Sequence, residues 1–219
     1  MNLPFTPDQF LAVFESYNLS VWPMQIVLVL CALAAAALAA VNHACAGRAV
    51  SLMLAALWLW MGVAYHLLFF TSINKAAYLF GALCIAQGVI FFITGVLQKR
   101  WTFQWKRDMY SVASACIILY ALVIYPIIGA ASGHAYPQAP TFGLPCPTTI
   151  FTFGILLLAR HRVSWWTIAI PLLWSVIGFS AAVSLGIHED IGLLVAGAAA
   201  ASFISMKNRS AVGAMAETA

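Results

Sequence analysis

The charged residues of this chain fall in short polar gaps between long apolar stretches, and this placement strongly limits what the chain can fold into. Charged residues make up 7% of the chain and hydrophobic residues 64%. A run of about 20 apolar residues crosses the hydrocarbon core of a bilayer as a helix. No carboxylate lies near the middle of an apolar run; the carboxylates are Asp8, Glu15, Asp108, Glu189, Asp190 and Glu217. The pattern predicts an all-α integral membrane protein.

Seven apolar runs are candidate membrane spans. Their approximate limits are 22–42, 49–71, 75–98, 109–130, 145–160, 164–184 and 189–206. Ahead of them, Thr6 and Gln9 form a capping-box pattern and Pro7 suits the first helical position, which predicts a short interfacial helix over about residues 7–17. We therefore expect a single seven-helix transmembrane domain over residues 1–206 and a disordered tail over residues 207–219.

The basic residues indicate how this bundle sits in the membrane. Most of them follow the first, third, fifth and seventh spans: Arg48, Lys99, Arg100, Lys106, Arg107, Arg160, Arg162, Lys207 and Arg209. Only Lys75 lies on the opposite side. The positive-inside rule then predicts that the N-terminus is outside and the tail is cytoplasmic. Basic residues spread over one side of a membrane do not indicate a nucleic-acid partner; the expected partner is the lipid bilayer, and homo-oligomerisation stays open.

Two classes of function are disfavoured because the sequence does not contain the residues that they need. A pump or coupled transporter usually keeps an ionisable residue at mid-membrane depth, and no acidic residue is available there. The five cysteines include no CxxC pair, so neither a zinc knuckle nor a thioredoxin-like site is indicated.

The unusual polar residues gather at the predicted outer ends of the spans. His66 is the most informative, because it lies near the outer end of the second span in an otherwise apolar helix. A polar group there needs a partner, so His66 is either hydrogen-bonded to a neighbouring helix or acts as a metal ligand or proton acceptor. His134 follows span four, and His188 opens span seven with Glu189 and Asp190. For these two carboxylates the alternative role is to stabilise the helix dipole.

A proline-rich loop connects spans four and five. Residues 132–149 contain four prolines and two glycines, a composition typical of a shaped loop. Cys146 lies at the start of span five, where a helix N-terminus makes it a candidate thiolate or soft-metal ligand. Thr148 and Thr149 are placed to contact an anion there. The alternative is a rigid turn whose threonines cap the helix.

Three functions remain open, and the first is an enzyme or metal-binding protein with its site near the outer face, acting on a small molecule or lipid. The ligands of a transition metal such as zinc would be His66, His134, His188 and Cys146. The catalytic base that activates a bound water would be Glu15 or Asp190. Further residues expected to line this site are Asn18, Asn74, Tyr136, Thr148 and Thr149.

The second function is a channel or uniporter for a small neutral solute, with Tyr120, Tyr125 and Gln87 along a polar path. The third is a non-catalytic partner or sensor subunit. Its docking faces would be helices rich in small residues, such as residues 32–40 of the first span, because small side chains let backbones approach closely.

Seven stretches carry a resemblance to a known family. They are residues 5–10, 13–18, 21–23, 65–66, 73–74, 133–137 and 140–154. They resemble a family of small bacterial membrane proteins of unknown function (domain of unknown function 6064), over most of the chain up to about Ala196. The resemblance implies a multipass protein of the bacterial inner membrane and brings no assigned reaction.

A weaker resemblance connects Glu15, Asn18 and His66 with the seven-span hydrolases that include alkaline ceramidases. The last span has no His-x-x-x-His pair, and no Asp follows His66 at the expected position, so most zinc ligands of that family are missing. Microbial rhodopsins share the number of spans and the orientation, but the last span here has no Lys to carry retinal.

Overall fold

The computed structural model describes residues 4–41 and 45–216, with side chains up to Ser210. The helices are α1 (Pro7–Val21), α2 (Met24–Ala40), α3 (Ala46–Trp60), α4 (Ala77–Phe91), α5 (Met109–Leu119), α6 (Tyr125–Ala131), α7 (Pro145–Leu157), α8 (Trp165–Leu185) and α9 (Ile191–Ala216). The described residues form no β-sheet, and the predicted all-α class is confirmed.

Three helices continue through π-helical turns. These turns cover Met61–Leu67 after α3, Phe92–Leu97 after α4, and Tyr120–Ile124 between α5 and α6. Five continuous helical stretches are long and apolar enough to cross a membrane: Ala46–Ser72, Ala77–Leu97, Met109–Ala131, Trp165–Leu185 and His188–Ser210. These five match five of the seven predicted spans.

The N-terminal pair of helices differs from a simple straight span. The predicted capping box is present, because Thr6 and Gln9 each accept a hydrogen bond from the other's backbone N–H. α1 extends to Val21, beyond the predicted end at residue 17. A bend of 86° separates α1 from α2, and α2 alone has only 17 residues. The two helices reach the length of a span only when they are counted together.

α7 is short and lies at the centre of the bundle. Its 13 residues make a helix of about 20 Å, whereas the hydrocarbon core of a bilayer is about 30 Å thick. Every residue of α7 except Cys146 is buried. The predicted span 145–160 is therefore helical only as far as Leu157.

A folded loop packs at each end of the short helix α7. At one end, residues 132–144 pack against α1; we call this the α1 end of the bundle. At the other, which we call the tail end, Gln104 donates to the Leu158 carbonyl and the Arg160 N–H donates to the Thr102 carbonyl. Irregular backbone at membrane depth is tolerated where protein surrounds it, so a central helix can be this short.

The last helix is longer than predicted. Lys207 donates to the carbonyls of Leu157 and Ala159, and Asn208 exchanges hydrogen bonds with the backbone of Val163. These contacts hold α9 against α7 beyond residue 206, and the helix continues to Ala216. This helix includes most of the predicted tail over residues 207–219, and residues 217–219 lie outside the described part.

Candidate functional site

A largely aromatic cavity of about 210 Å³ lies at the α1 end of the bundle. Its walls come from α1, the turn after the α3 helix, the start of α7, the second half of α8 and the start of α9. Its aromatic side chains are Phe5, Phe10, Phe14, Tyr65, Phe70, Phe80, Tyr125 and Trp174. We call it the aromatic cavity. Of the residues predicted to form an outer-face site, it brings together Asn74, Cys146 and Asp190.

The polar end of the aromatic cavity is built around Asp190. The Tyr125 hydroxyl donates to Asp190 Oδ1 at 2.5 Å. Cys146 lines the same cavity and interacts electrostatically with this carboxyl group. A carboxylate has about four acceptor positions, so the bond from Tyr125 leaves Asp190 able to accept from a ligand. The remaining wall of the cavity is mostly apolar.

His66 lies behind the aromatic wall and is fully buried. Its ring centroid is 5.1 Å from that of Trp174, 5.9 Å from that of Phe80 and 6.0 Å from that of Phe70. Neither ring nitrogen has a hydrogen-bond partner among the described residues. The predicted hydrogen bond to a neighbouring helix is therefore absent within that set, and His66 packs as an aromatic ring against four side chains of the cavity wall, Tyr65 included.

Asn18 of α1 holds the proline-rich loop in place by hydrogen bonds. Its buried side-chain amide donates to the carbonyls of Pro137 at 2.7 Å and Ala139 at 2.8 Å. Its Oδ1 accepts from the Thr141 hydroxyl at 2.7 Å. Asn18 thus shapes the loop that covers the aromatic cavity but does not line the cavity itself.

The other predicted residues of the loop region also make structural contacts. Glu15, a predicted catalytic base, accepts from the Gln138 side chain at 2.8 Å and does not line the aromatic cavity. Thr148 caps the loop by accepting from the Gly143 N–H at 3.2 Å. Thr149 is buried, and its hydroxyl has no partner among the described residues. Tyr136 is exposed and meets the edge of Trp22.

His134 pairs with Glu189, a carboxylate for which one predicted role is stabilisation of the helix dipole. Its Nδ1 lies 2.9 Å from Glu189 Oε1, and the Glu189 side chain is fully buried. His188 is exposed and borders a different cavity, beside Tyr120 and α9. The two histidines of this region therefore have separate surroundings.

The four predicted metal ligands do not converge. Within residues 4–41 and 45–216, no group of three or more His, Cys, Asp and Glu side chains is arranged to hold a metal ion. A structural or catalytic zinc requires at least three such ligands around one point. His66 faces aromatic rings, His134 faces Glu189, His188 is exposed and Cys146 faces Asp190. This donor set does not fit zinc.

The predicted channel residues do not line one cavity, although Tyr120 and Tyr125 are neighbours with ring centroids 6.4 Å apart. Tyr125 lines the aromatic cavity, Tyr120 donates to the Glu189 carbonyl at 2.7 Å, and Gln87 donates to the Thr167 carbonyl at 3.0 Å. Tyr120 lines the cavity beside His188 instead. These three side chains do not mark a common path.

Sequence reasoning missed the aromatic side chains that form most of the cavity. Phe10 and Phe14 are four residues apart on α1, a spacing that places them on one helix face and gives a signal for a shared wall. No comparable signal identifies Trp174, which lies inside a uniformly apolar helix. Tyr125 was assigned to a solute path, and its pairing with Asp190 depends on contacts across 65 residues of chain.

Comparison with known proteins assigns a family and no reaction. A model of a family of unknown function (DUF6064) matches residues 7–214, so the chain belongs to that family. Neither the curated proteins nor the solved structures give a match. The resemblance to alkaline ceramidases therefore has no support from relatives or from structural neighbours.

Proposed function

We propose that this member of DUF6064 is a multipass protein of the bacterial inner membrane whose aromatic cavity binds a small apolar molecule that carries one hydrogen-bond donor. The proposal includes the predicted orientation, with the α1 end outside and the tail end in the cytoplasm. In this arrangement α1 lies along the outer surface, α2 enters the bilayer, and α7 crosses through the protein interior.

Apolar side chains on the outside of the bundle support placement in a membrane. Each of five helices presents at least one aliphatic side chain that is more than half exposed: Leu30, Leu79, Val112, Val183 and Val195. Large apolar surface of this kind is unusual on a protein surrounded by water and suits contact with lipid. Exposed Trp165 and Trp166 at the tail end match the aromatic belt found at membrane interfaces.

The size and lining of the aromatic cavity support the ligand class. A cavity of about 150 Å³ lined by aliphatic and aromatic side chains binds benzene. At about 210 Å³, the aromatic cavity has room for one ring with a short substituent. Because its walls are mostly apolar and Asp190 is the one carboxylate among its lining residues, the preferred ligand is apolar apart from a single head group.

The observation that carries the proposal is the acceptor chemistry of Asp190. The Tyr125 hydroxyl donates to Asp190 Oδ1, so it holds this carboxyl group in one orientation. A ligand hydroxyl or ammonium group can donate to a free oxygen position, whereas a ligand carboxylate would meet like charge. We therefore expect selection for alcohols and amines over acids.

Binding tests the proposal directly, using purified protein in lipid nanodiscs. The probes share one shape: 2-phenylethanol, 2-phenylethylamine, ethylbenzene and phenylacetate. Titration calorimetry should give about ten-fold tighter binding for the alcohol and the amine than for phenylacetate, since a hydrogen bond to a charged group contributes about 1.5 kcal/mol. Asp190→Asn should remove most of this preference for donors over phenylacetate.

Two variants distinguish binding of the probes in the aromatic cavity from partitioning of the probes into lipid. Ala181→Phe fills the cavity, because Ala181 lines it. Val183→Phe is the matched control on the same helix, since Val183 is 66% exposed. Binding should be lost in Ala181→Phe and kept in Val183→Phe. Equal signals from wild type and both variants would mean that the probes enter lipid only, and the proposed cavity function would be wrong.

A reporter at the C-terminus tests the orientation independently. A fused green fluorescent protein should fluoresce, because it would be cytoplasmic, and a fused alkaline phosphatase should be inactive. The opposite pattern would overturn the orientation and leave the binding test unaffected.

A further inference from the structure

A second pocket, of about 170 Å³, lies at the tail end of α7, on the opposite side of the bundle from the aromatic cavity. It is bounded by the segment before α5, the end of α7 and the last part of α9. Its charged side chains are Lys106, Asp108, Arg160 and Lys207. We call it the basic pocket.

The cations of the basic pocket are not neutralised at contact distance. Its only carboxylate, Asp108, accepts from the Ser111 N–H at 2.9 Å and so caps the start of α5. Among the described residues, the only ion pair within 4.0 Å is His134 with Glu189, at the α1 end. Lys106, Arg160 and Lys207 therefore leave the pocket with an excess of positive charge.

Lys207 is held in place by the protein. Its ammonium group donates to the Leu157 carbonyl at 2.9 Å and to the Ala159 carbonyl, and it lies 5.3 Å from the centre of the Tyr110 ring. An ammonium group has three hydrogens, so one donor remains for a ligand. Because two bonds already fix the side chain, an anion loses little conformational freedom of Lys207 on binding.

Tryptophans place the basic pocket at head-group depth. Trp105 lies next to Lys106, and Trp165 and Trp166 begin α8; all three are exposed. Exposed tryptophans cluster where the hydrocarbon core meets the head groups. Basic pockets between membrane helices on the cytoplasmic side are suited to anionic head groups.

We infer that the basic pocket binds a phosphate group, as carried by the head group of an anionic phospholipid or by free inorganic phosphate. The inference depends on the proposed membrane placement and is independent of the ligand of the aromatic cavity. Lys106 and Arg160 supply exposed charge, and Lys207 supplies a fixed donor that is bonded to the end of α7. Occupation of the pocket would therefore stabilise the contact between α7 and α9.

Native mass spectrometry of the full chain in detergent tests this inference. The probes are dioleoyl phosphatidylglycerol, dioleoyl phosphatidylcholine and inorganic phosphate. Wild type should retain one phosphatidylglycerol about ten-fold more strongly than phosphatidylcholine, because the excess positive charge of the pocket attracts the anionic head group. If inorganic phosphate displaces phosphatidylglycerol at millimolar concentration, the site recognises the free anion as well; if it does not, the source is the lipid.

Two double variants make the test specific to the pocket. Lys106→Gln with Arg160→Gln removes two charges from the pocket and leaves Lys207 in its structural role. Arg48→Gln with Arg100→Gln removes two exposed charges of the same predicted side that do not line it. The first should lower phosphatidylglycerol retention about ten-fold and the second should not.

Equal losses in the two double variants would show that lipid attraction is spread over the whole surface, and that result would overturn the inference. Absence of any preference for phosphatidylglycerol in wild type would do the same. The melting temperature of each variant and its binding of 2-phenylethanol report whether the fold and the aromatic cavity are intact, so a failure here is distinguishable from a failure of the proposed function.

Discussion

The two ends of α7 are built from different interactions. At the α1 end, buried side chains from distant parts of the chain hold the loop and the cavity, as Asn18 does with Pro137 and Ala139. At the tail end, backbone bonds from Gln104 and Arg160 hold the loop, and charged side chains stay partly in solvent. A short central helix can therefore be completed by loops in two ways, and single substitutions should cost more stability at the α1 end.

The largest loss of stability should come from Asn18→Leu. This change removes two buried hydrogen bonds to backbone carbonyls and one from Thr141, and it leaves those groups without partners. We expect the free energy of unfolding in detergent to fall by about 4 kcal/mol, measured by denaturant titration. A loss below about 1 kcal/mol would mean that Asn18 does not fasten the loop.

His134→Ala should have the next largest effect. It removes the partner of Glu189 Oε1, and Glu189 Oε2 already lacks one among the described residues. An unpaired buried carboxylate costs about 3 kcal/mol. His188→Ala is the control, because His188 is exposed; it should change the free energy of unfolding by less than about 0.5 kcal/mol. Similar losses in both variants would contradict a specific role for the ion pair.

Lys207→Met probes the tail end with a smaller expected effect. Methionine keeps an apolar stem of similar length but cannot donate to the Leu157 and Ala159 carbonyls. The expected loss is about 1.5 kcal/mol, because solvent is available to replace part of the bonding. Arg209→Met, at an exposed position without these bonds, should be nearly neutral. A loss greater than that of Asn18→Leu would reverse the comparison between the two ends.

His66→Phe should be nearly neutral, within about 1 kcal/mol of wild type, because the imidazole makes no hydrogen bond to a described residue and phenylalanine keeps its ring packing. His66→Ala should lose about 3 kcal/mol by leaving a cavity. Thermal unfolding of both variants measures the difference. If His66→Phe lowers the stability as much as His66→Ala does, the two ring nitrogens have a polar partner.

Glu15→Gln should have the smallest effect. Its contact with Gln138 is exposed, and exposed polar pairs contribute less than about 0.5 kcal/mol. The same variant should leave the binding of 2-phenylethanol unchanged, because Glu15 does not line the aromatic cavity. A clear loss of binding would place Glu15 in the site and support its predicted catalytic role.

The local features of the site were predictable because they depend on neighbouring residues. The Thr6–Gln9 capping box follows from a four-residue pattern, and it is present. That a site lies between the proline-rich loop and the start of the last helix stays a prediction; two of its residues, Cys146 and Asp190, line the aromatic cavity. Metal ligation was a different kind of prediction, since it required His66, His134 and His188 to converge from three separate helices or loops.

The apolar helices follow from the sequence alone, because a continuous apolar run is a local property that is stabilised in both a bilayer and a buried core. The short, buried state of α7 and the pairing of Tyr125 with Asp190, across 65 residues, depend on how the helices pack. The same packing places His66 against rings instead of metal ligands. The physical reason is rotation about the helix axis: in uniformly apolar helices no periodic pattern specifies which face turns inward, so packing between helices selects the neighbours of each polar side chain.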